Sequence, residues 1–427
     1  MNSLQLFLPC AAGVEGFLAD EIHGITGLTG HDLMTGRGGV LVRASWREAM
    51  LLNLHCRLAQ RVLVQLSQTQ YRNEKDLYDA ASDVAWEVWF TTKQTFKIEV
   101  TAQHSPLTSL NFAALKIKDA VADRFRAKRG ERPDVNTQWP DVRIYAHLTT
   151  DHATLYIDTS GEPLFKRGWR EDKGEAPLKE TLAAAMLAAS AWDGHTPLYD
   201  PCCGSGTIAI EAAQIACGMA AGSLRRFGFE KLLPFQPHVW EGLLSQAREA
   251  EHAPTAPIFG SDVAHRMVDF ATRNAQRAGV GDVINWRGGD ALQRMPPCEI
   301  PGLMLLNPPY GERIAAAGVA GRGREGFAPG ALAAERHDAG AHRETAHTDD
   351  GGDFFIQLAA HWKKNYHGWS AWMLTPDLKL PSRMRLKESR RVPMWNGPIE
   401  CRLFRFDVMA GSARKPAAGV EQPPALG

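Results

Sequence analysis

A glycine-rich turn that follows a short apolar run is the densest chemical signal in this sequence. The turn runs from Asp200 to Thr207 as Asp-Pro-Cys-Cys-Gly-Ser-Gly-Thr, and a helix-like pattern follows it. Gly204 and Gly206 let a ligand approach the backbone without meeting a Cβ atom, and the start of the helix supplies free N–H groups. Because Asp200 would repel a phosphate, the pattern favours a ligand with an ammonium group, such as the methionine part of S-adenosylmethionine (SAM).

Two further aspartates stand where predicted strands end. Asp262 closes the run Ile-Phe-Gly-Ser-Asp, and Asp290 follows a pair of glycines. A carboxylate at Asp262 can accept both hydroxyls of a ribose, and one at Asp290 can accept an adenine amino group. A lone aspartate is more often a helix cap, but three at successive strand ends favour a nucleoside. A plain dinucleotide site is disfavoured, since Ala209 stands where a third glycine is needed.

A second chemical motif, Asn307-Pro308-Pro309-Tyr310, follows another predicted strand. Two prolines restrict the backbone and remove two N–H donors, which leaves carbonyl oxygens as acceptors. Asn307 adds a side-chain carbonyl, and Tyr310 offers a flat ring. The four residues are the predicted catalytic group, since together they can hold a base by its exocyclic amine and aim that amine at a methyl donor. The alternative is a proline-capped loop without chemistry.

Strands that alternate with helices must position these motifs, which predicts an α/β fold with a doubly wound, mostly parallel sheet. A helical insertion around 232–251 must separate the first two strands. Asn396-Gly397 between two strand-like runs predicts a hairpin that forms an antiparallel edge. The predicted strands are Leu198–Asp200, Ile258–Ser261, Val283–Arg287 and Leu303–Leu306, and the predicted helices are Leu178–Trp192, Thr207–Ala216 and Val263–Ala278.

The first 160 residues have a different, α+β pattern, with a helical stripe over Phe112–Lys128. The range 116–132 holds seven basic and three acidic residues, and the range 361–415 holds twelve basic and four acidic ones. Either could provide the positive track that RNA requires, or be a solvated surface balanced by acids elsewhere. The residues predicted to contact RNA are Lys116, Lys118, Arg383, Arg385, Arg390 and Arg391.

The composition is that of an ordinary globular chain of 427 residues, with 44% hydrophobic residues and equal numbers, 48 each, of basic and acidic residues. Any contact with a polyanion must therefore come from a local patch. Seven cysteines without a Cys-x-x-Cys pair predict neither a zinc site nor a disulfide framework, and we expect no metal. The start lacks a signal peptide and no apolar run is long enough to span a membrane, so a cytoplasmic location is expected.

The glycine turn followed by Asn-Pro-Pro-Tyr-Gly resembles the class I SAM-dependent methyltransferases that act on exocyclic amines of bases. The segments 166–170 and 176–181 resemble the region that precedes this domain in THUMP-containing RNA methyltransferases, and 114–120 and 155–161 resemble parts of their THUMP region. The resemblance is strongest to the guanine-N2 half of the bacterial enzymes that act on large-subunit ribosomal RNA. It covers residues 1–310 and 353–408.

This resemblance implies a ferredoxin-like subdomain (1–54), a THUMP RNA-binding domain (55–160) and a Rossmann-like methyltransferase domain (161–409). We expect a mobile insertion at 315–352 and a disordered tail at 410–427. By position, Thr181 would lie near the methionine part of SAM, Asp262 at the ribose and Asp290 at the adenine. The residues predicted to bind the cofactor are Thr181, Asp200, Cys202, Gly204, Gly206, Thr207, Asp262 and Asp290.

The predicted function is methyl transfer from SAM to the N2 amine of a guanine in RNA, with 23S ribosomal RNA as the expected partner. A base inside an RNA helix must be flipped or lie in a loop to reach such a pocket. Two alternatives stay open: an adenine-N6 methyltransferase of nucleic acid, and a non-catalytic RNA-binding assembly factor. A nicotinamide oxidoreductase is disfavoured by the absent third glycine.

Overall fold

The computed structural model describes residues 3–174, 177–308 and 354–409. Within these ranges the chain forms two seven-stranded sheets. The first is built from the N-terminal half of the chain and the second from the C-terminal half. The predicted insertion at 315–352, the predicted tail from 410, and Pro309 and Tyr310 lie outside the described residues. None of the described helices is long and apolar enough to cross a membrane.

The first sheet joins the predicted ferredoxin-like and THUMP regions, because β1 pairs directly with β4. The boundary predicted between residues 54 and 55 stays a prediction. The strands lie in the order β2-β3-β1-β4-β7-β6-β5. They are β1 (Leu4–Pro9), β2 (Leu33–Gly36), β3 (Gly39–Ala44), β4 (Leu63–Gln70), β5 (Phe96–Ala102), β6 (Val142–Leu148) and β7 (His152–Asp158), with helices α1 (Glu15–Thr26), α2 (Trp46–His55), α3 (Glu74–Asp83) and α4 (Leu110–Arg129).

Helix α4 carries the basic cluster predicted from the sequence, and its ends follow local rules. Ser109 caps the start by accepting a hydrogen bond from the Phe112 N–H at 3.2 Å. Gly130, with φ of 77°, ends the helix in the left-handed conformation. Ile117, Val121 and other apolar residues at helical spacing are buried, so the basic residues occupy the opposite, solvent-facing side.

The second sheet has the expected doubly wound form, with strand order β10-β9-β8-β11-β12-β14-β13. Neighbours from β10 to β12 are parallel, whereas β14 is antiparallel to both β12 and β13. The predicted antiparallel edge is therefore confirmed. The elements are α5 (Glu180–Ser190), β8 (Leu198–Asp200), α6 (Thr207–Ala216), α7 (Pro237–Glu249), β9 (Ile258–Asp262), α8 (His265–Arg277), β10 (Ile284–Gly288), β11 (Leu303–Leu306), α9 (Phe354–Asn365), β12 (Ser370–Thr375), α10 (Leu380–Met384), β13 (Arg390–Asn396) and β14 (Ile399–Asp407).

The two halves share one apolar core rather than packing as loosely joined units. A single cluster of buried residues extends from Leu6 in β1, through Leu182 in α5 and Leu198 in β8, to Leu403 in β14. A second cluster contains Trp362 of α9 together with residues of β11 and β12. Because this shared core excludes water between the two halves, it holds the two sheets in a fixed arrangement.

Candidate active site at the carboxyl edge of the second sheet

Strand β8 is the centre of the candidate site, because both chemical motifs leave the sheet beside it. Strand β9 flanks β8 on one side, with Leu198 opposite Ile258, and β11 flanks it on the other, with Leu198 opposite Leu303. All three strands run parallel. The turn after Asp200 and the loop that starts at Asn307 therefore emerge at the same edge, where doubly wound sheets bind their ligands at the change in strand order.

Asp200 ends β8 with a carboxyl group that is buried and scarcely bonded. Its exposed fraction is 1%, and its only hydrogen bond within the described ranges comes from the Cys202 N–H at 3.2 Å. Burial raises its pKa well above the ordinary value, and the nearby Asp262 carboxylate adds to that rise. A cationic ligand at this position would compensate the buried charge. The residue thus fits the ammonium group of SAM.

Asp262, at the end of β9, connects the two neighbouring loops through its carboxylate. One oxygen accepts a hydrogen bond from the Gly204 N–H at 2.9 Å, and the other accepts one from the Ala264 N–H at 2.9 Å. A carboxylate at the end of this strand is the type of group that accepts hydrogen bonds from ribose hydroxyls. Asp262 therefore holds the glycine turn in place. It also lies at the position where the sequence predicts the ribose of the cofactor.

The two glycines of the turn have different structural roles. Gly204 has φ of 52°, and a Cβ atom added there would meet no atom within 4 Å, so a ligand has room to approach. Gly206 has φ of 90°, and a Cβ there would lie 2.9 Å from both the Ala271 Cβ and the Trp286 ring. The second glycine is thus required for packing of α6 against α8 and β10, which the sequence pattern alone did not distinguish.

Asp290 and Cys202 lie close to the other two aspartates. Burial raises the pKa of the Cys202 thiol well above its ordinary value, and the carboxylates of Asp262, Asp200 and Asp290 raise it further. The three predicted carboxylates thus lie near one thiol that stays protonated. The Asp290 carboxylate accepts a hydrogen bond from the Leu292 N–H at 2.9 Å, which is a local turn contact. The structure brings the predicted cofactor residues after β8, β9 and β10 together.

Arg170 holds the start of α6 in place, and sequence reasoning did not single it out. Its guanidinium donates hydrogen bonds to the Ser205 hydroxyl at 2.8 Å and the Thr207 hydroxyl at 2.8 Å. It also pairs with the buried Glu180 carboxylate at 2.7 Å. Thr207 is therefore occupied by a protein contact, and its hydroxyl is oriented by Arg170 rather than left to a ligand.

Asn274 on α8 holds the turn from the other side. Its side-chain amide donates to the Ser205 carbonyl at 3.0 Å and to the Asp172 carbonyl at 2.8 Å, and the residue is fully buried. The glycine turn is thereby fixed to the segment that precedes α5. No local sequence pattern marks Asn274, because its partners lie about 70 to 100 residues away along the chain.

A buried ionic cluster, Arg57–Glu211–Arg167, joins the first half of the chain to α6. The Glu211 carboxylate accepts from Arg57 at 2.9 Å and from Arg167 at 3.0 Å, and its exposed fraction is 0%. Burial acts to raise the pKa of Glu211, but the two arginines outweigh it and the net direction is downward. Because Glu211 lies one turn after Thr207, the cluster fixes the cofactor helix against the N-terminal half.

The loop after β11 is described only as far as Pro308. Asn307 directly follows the fully buried run Leu303–Leu306, and Pro308 is buried. The register places Met304 opposite Tyr199 of β8, so Asn307 lies only a few residues beyond the level of Asp200. Pro309 and Tyr310, the other two predicted catalytic residues, lie outside the described residues.

The predicted RNA-binding residues differ in whether an acidic neighbour neutralises their charge. On α4, Lys118 is paired with Asp119 at 2.7 Å, while the Lys116 amine lies 5.2 Å from the centre of the Phe112 ring. Both residues are half-buried. Elsewhere in the same cluster, Arg126 pairs with Asp123 and Arg124 with Glu87. Much of the apparent charge of this helix is therefore neutralised by its own neighbours.

The C-terminal basic residues include two with no ion pair in the described ranges, Arg385 and Arg391, and both are exposed. Arg383 instead pairs with Asp377 at 2.7 Å, and Arg390 lies over the Trp372 ring at 6.0 Å. The residues around the start of β13 thus present uncompensated positive charge.

All seven cysteines are free, and the described ranges contain no group of three residues placed to hold a metal ion.

Family models match most of the folded chain. A model described as "RlmL ferredoxin-like domain" matches residues 5–63, the THUMP domain matches 71–158, and the "RMKL-like, methyltransferase domain" matches 167–322. The chain therefore combines a ferredoxin-like domain, a THUMP domain and an RMKL-like methyltransferase domain. The α/β fold class is confirmed by the two sheets, and SAM as the cofactor of the methyltransferase domain is confirmed by this match together with a structural neighbour that holds S-adenosylhomocysteine.

Known relatives support this assignment along almost the whole chain. The methyltransferase is 36% identical over 424 residues, 98% of its length, to "Ribosomal RNA large subunit methyltransferase K/L" of Psychromonas ingrahamii. The match covers 52% of that relative, so the chain spans about half the length of the curated relatives it matches. Among solved structures, SMU.472, determined in complex with S-adenosylhomocysteine, is 25% identical with a TM-score of 0.80 and matches over 97% of this chain and 100% of its own.

Proposed function

We propose that this methyltransferase transfers a methyl group from SAM to the exocyclic N2 amine of a guanine in RNA, and that the RNA is the large-subunit ribosomal RNA. One observation carries the proposal: the loops that follow Asp200 and Leu306 leave adjacent parallel strands at the same edge of the sheet. A cofactor held by one loop and a base held by the other would then share a single pocket, which methyl transfer requires.

On the cofactor side, we propose that Asp200 binds the ammonium group of SAM and that Gly204 leaves room for its methionine part. The support is the buried, nearly unbonded carboxyl of Asp200 and the empty space around Gly204. Asp262 and Asp290 are proposed for the ribose and the adenine, Thr181 and Cys202 for the neighbourhood of the methionine, and Gly206 and Thr207 for the shape of the turn. Bound SAM supplies the electrophilic methyl group.

On the base side, we propose that Asn307 and the carbonyl oxygens beside Pro308 and Pro309 accept the hydrogens of the guanine amine, while Tyr310 stacks on the base. An aromatic amine is a weak nucleophile because its lone pair is delocalised into the ring. Acceptors on its two hydrogens localise that pair and orient it. The proton can leave after transfer, so no general base is part of the proposal.

Two features support RNA as the substrate. The chain carries a THUMP domain, and its curated relatives have names that refer to the large ribosomal subunit. Arg385 and Arg391 provide exposed charge for the phosphate backbone, together with Arg383, Arg390, Lys116 and Lys118 as weaker candidates. A ribosomal RNA substrate places the proposed reaction in the cytoplasm.

A second candidate, methylation of an adenine N6 amine, is favoured by one comparison. A predicted N6-adenine-specific DNA methylase from Listeria monocytogenes is 25% identical, with a TM-score of 0.78, over 95% of this chain and 96% of its own. The acceptors around Asn307 suit any exocyclic amine. The THUMP domain favours RNA over DNA as the substrate of this chain.

The modified nucleosides of ribosomal RNA from cells that lack this protein test the proposal and separate the two candidates. The proposal predicts that one N2-methylguanosine of the large-subunit RNA disappears, and that it returns when the wild-type chain is expressed. Expression of an Asn307→Ala chain should not restore it. Loss of an N6-methyladenosine instead would favour the second candidate, and an unchanged set of nucleosides would contradict both.

A further inference from the structure

A cleft of about 260 Å³ lies beside Thr181, where four parts of the chain meet. Its walls are the loop after β1, the segment before β4 that contains Gln60, the start of α5, and the tip of the β13–β14 hairpin. The side chains that could bind a ligand there are Gln60, Lys179, Thr181, Trp395 and Asn396. A volume of this size, below the ~300 Å³ of a typical small-molecule pocket, suits one planar ring system rather than a whole cofactor.

Several polar groups in the cleft lack protein partners. Thr181 has an exposed fraction of only 9%, yet its hydroxyl makes no hydrogen bond within the described residues. The side-chain amides of Gln60 and Asn396 also make none there. Gln60 is exposed and Asn396 is half-buried, so both amides are available to form hydrogen bonds with a ligand that enters the cleft.

The electrostatic character of the cleft comes from one lysine. The Lys179 amine lies 5.2 Å from the centre of the Phe165 ring and pairs with no described carboxylate. Cys10, which also lines the cleft, is neutral, because burial and the nearby Glu15 raise the pKa of its thiol to about 12. Glu15 itself accepts hydrogen bonds from the backbone N–H groups of Gly13 and Gly38. The cleft thus offers one free cation beside an aromatic ring.

The cleft is joined directly to the proposed cofactor turn. Glu180, between Lys179 and Thr181 in sequence, is held by Arg170, and Arg170 also binds the hydroxyls of Ser205 and Thr207. The cleft residues Lys179 and Thr181 are therefore connected to the turn through Glu180 and Arg170. This connection is compatible with two neighbouring positions of a single extended substrate.

We propose that this cleft binds one unpaired base of the RNA substrate, close in sequence to the base that is methylated. Trp395 stacks on the base, the amides of Gln60 and Asn396 contact its edges, and Lys179 contacts a phosphate. Single-stranded RNA is recognised by this combination of a ring, amides and a cation. The inference rests on the proposed function, because it assumes that RNA is the substrate.

Binding of ribosomal RNA from cells lacking the protein, together with steady-state methyl transfer from tritiated SAM, tests the inference. Loss of one stacked base weakens binding by ~5-fold to ~150-fold. We therefore expect Trp395→Ala to raise both the dissociation constant and the KM for RNA about tenfold. Gln60→Ala, on an exposed side chain, should raise both by a smaller factor. The affinity for SAM should stay unchanged in both variants.

Two further variants separate base recognition from a folding defect. Trp395→Phe keeps a ring and should recover most of the RNA affinity. Ile399→Ala changes an exposed residue of the same hairpin that does not line the cleft, and should bind RNA as the wild type does. Wild-type RNA affinity in both Trp395→Ala and Gln60→Ala would overturn the inference.

Photo-crosslinking with the same RNA carrying thiouridine distinguishes this inference from the proposed function. The inference predicts a crosslink to a peptide that lines the cleft, and crosslinks that map only elsewhere would overturn it. Absence of methyl transfer by the wild-type protein would contradict the proposed function, while the crosslink would still report whether the cleft holds a base.

Discussion

The candidate site has a cofactor side and a base side, and different features of the chain hold each of them in position. The cofactor side, after β8, β9 and β10, is fixed by side-chain contacts: Arg170 and Asn274 bind the Ser205 region, and Asp262 binds the Gly204 N–H. The base side, after β11, follows a fully buried strand, and its motif relies on prolines that restrict the backbone. The described contacts of the cofactor side form a side-chain network, whereas the base side begins directly at the end of a buried strand.

This difference separates the effects that substitutions should have. Residues of the network support the shape of the cofactor side, so their loss should change SAM affinity or stability. Asn307 stands at the end of a strand whose position the buried core determines, so its loss should leave SAM binding intact. The following experiments test that separation, from the largest expected effect to the smallest.

Replacement of Asn307 by alanine should abolish turnover and spare SAM binding. Without its carbonyl the amine of the base loses a proposed acceptor, and the loss of one such contact in a transition state lowers kcat by about 100-fold or more. Calorimetric titration with SAM and single-turnover methyl transfer measure the two quantities. An Asn307→Ala protein with wild-type kcat would remove this residue from the reaction.

Replacement of Glu211 by alanine should destabilise the whole protein. The change leaves Arg57 and Arg167 buried without their shared carboxylate, and breaking a buried pair in this way costs about 3–5 kcal/mol. Asp79→Ala is the matched control, because the Lys75–Asp79 pair is exposed and such pairs contribute at most about 1 kcal/mol. Equal shifts of the thermal midpoint in the two variants would contradict the role of the buried cluster.

Replacement of Asp262 by alanine should weaken SAM binding by about 10-fold to 100-fold, the range expected for lost hydrogen bonds to a charged acceptor. The Gly204 N–H would also lose its partner, which loosens the turn. Asp269→Ala, an exposed carboxylate seven residues further along the chain on α8, serves as the control. Unchanged SAM affinity in Asp262→Ala would remove this residue from the ribose position.

SAM affinity should increase with pH in the wild-type protein over the range in which the Asp200 carboxyl loses its proton. Burial keeps the Asp200 carboxyl protonated above its usual pKa, whereas a bound ammonium group favours the carboxylate, so binding requires loss of this proton. Affinity therefore rises as pH increases until the group is ionised, and it falls in acid. Asp200→Asn should bind SAM weakly and without this dependence. A pH-independent affinity in the wild type would exclude Asp200 as the ammonium partner.

The smallest effect is expected at the surface, where Arg391→Ala should weaken RNA binding a few-fold and reduce its salt dependence. Arg391 has no ion pair in the described part of the chain. Arg126→Ala is the comparison, because Arg126 is already paired with Asp123. We expect a smaller change there, and the reverse order would place the RNA track on α4.

The sequence predicted the elements around the site well, because their signals are local. Strands β8 and β11 and helix α6 were predicted with the observed bounds, and the hairpin around Asn396-Gly397 was predicted within a few residues. Helices α2 and α9 and strand β12 were not predicted from the sequence. Helix α9 is flanked by residues without a clear period, and the start of α2 depends on a capping box between Ser45 and Glu48.

The contacts that hold the site together could not be read from the sequence. Arg57 and Glu211 are 154 residues apart, and Arg170 and Ser205 are 35 apart, so no periodic pattern connects them. Likewise, the Gly-x-Gly pattern predicted room for a ligand at both glycines, whereas Gly206 is required by the nearby Ala271 and Trp286. Local motifs indicate which chemistry is present, and tertiary contacts determine which residues are positioned to perform it.

The most direct test of the central claim is mass spectrometry of nucleosides after the purified protein acts on ribosomal RNA from cells that lack it, with SAM carrying a deuterated methyl group. The two loops beside β8 are proposed to form one pocket for SAM and a guanine amine. The account predicts deuterated N2-methylguanosine with the wild-type protein and none with Asn307→Ala. A deuterated methyl group on any other nucleoside, or on none, would contradict it.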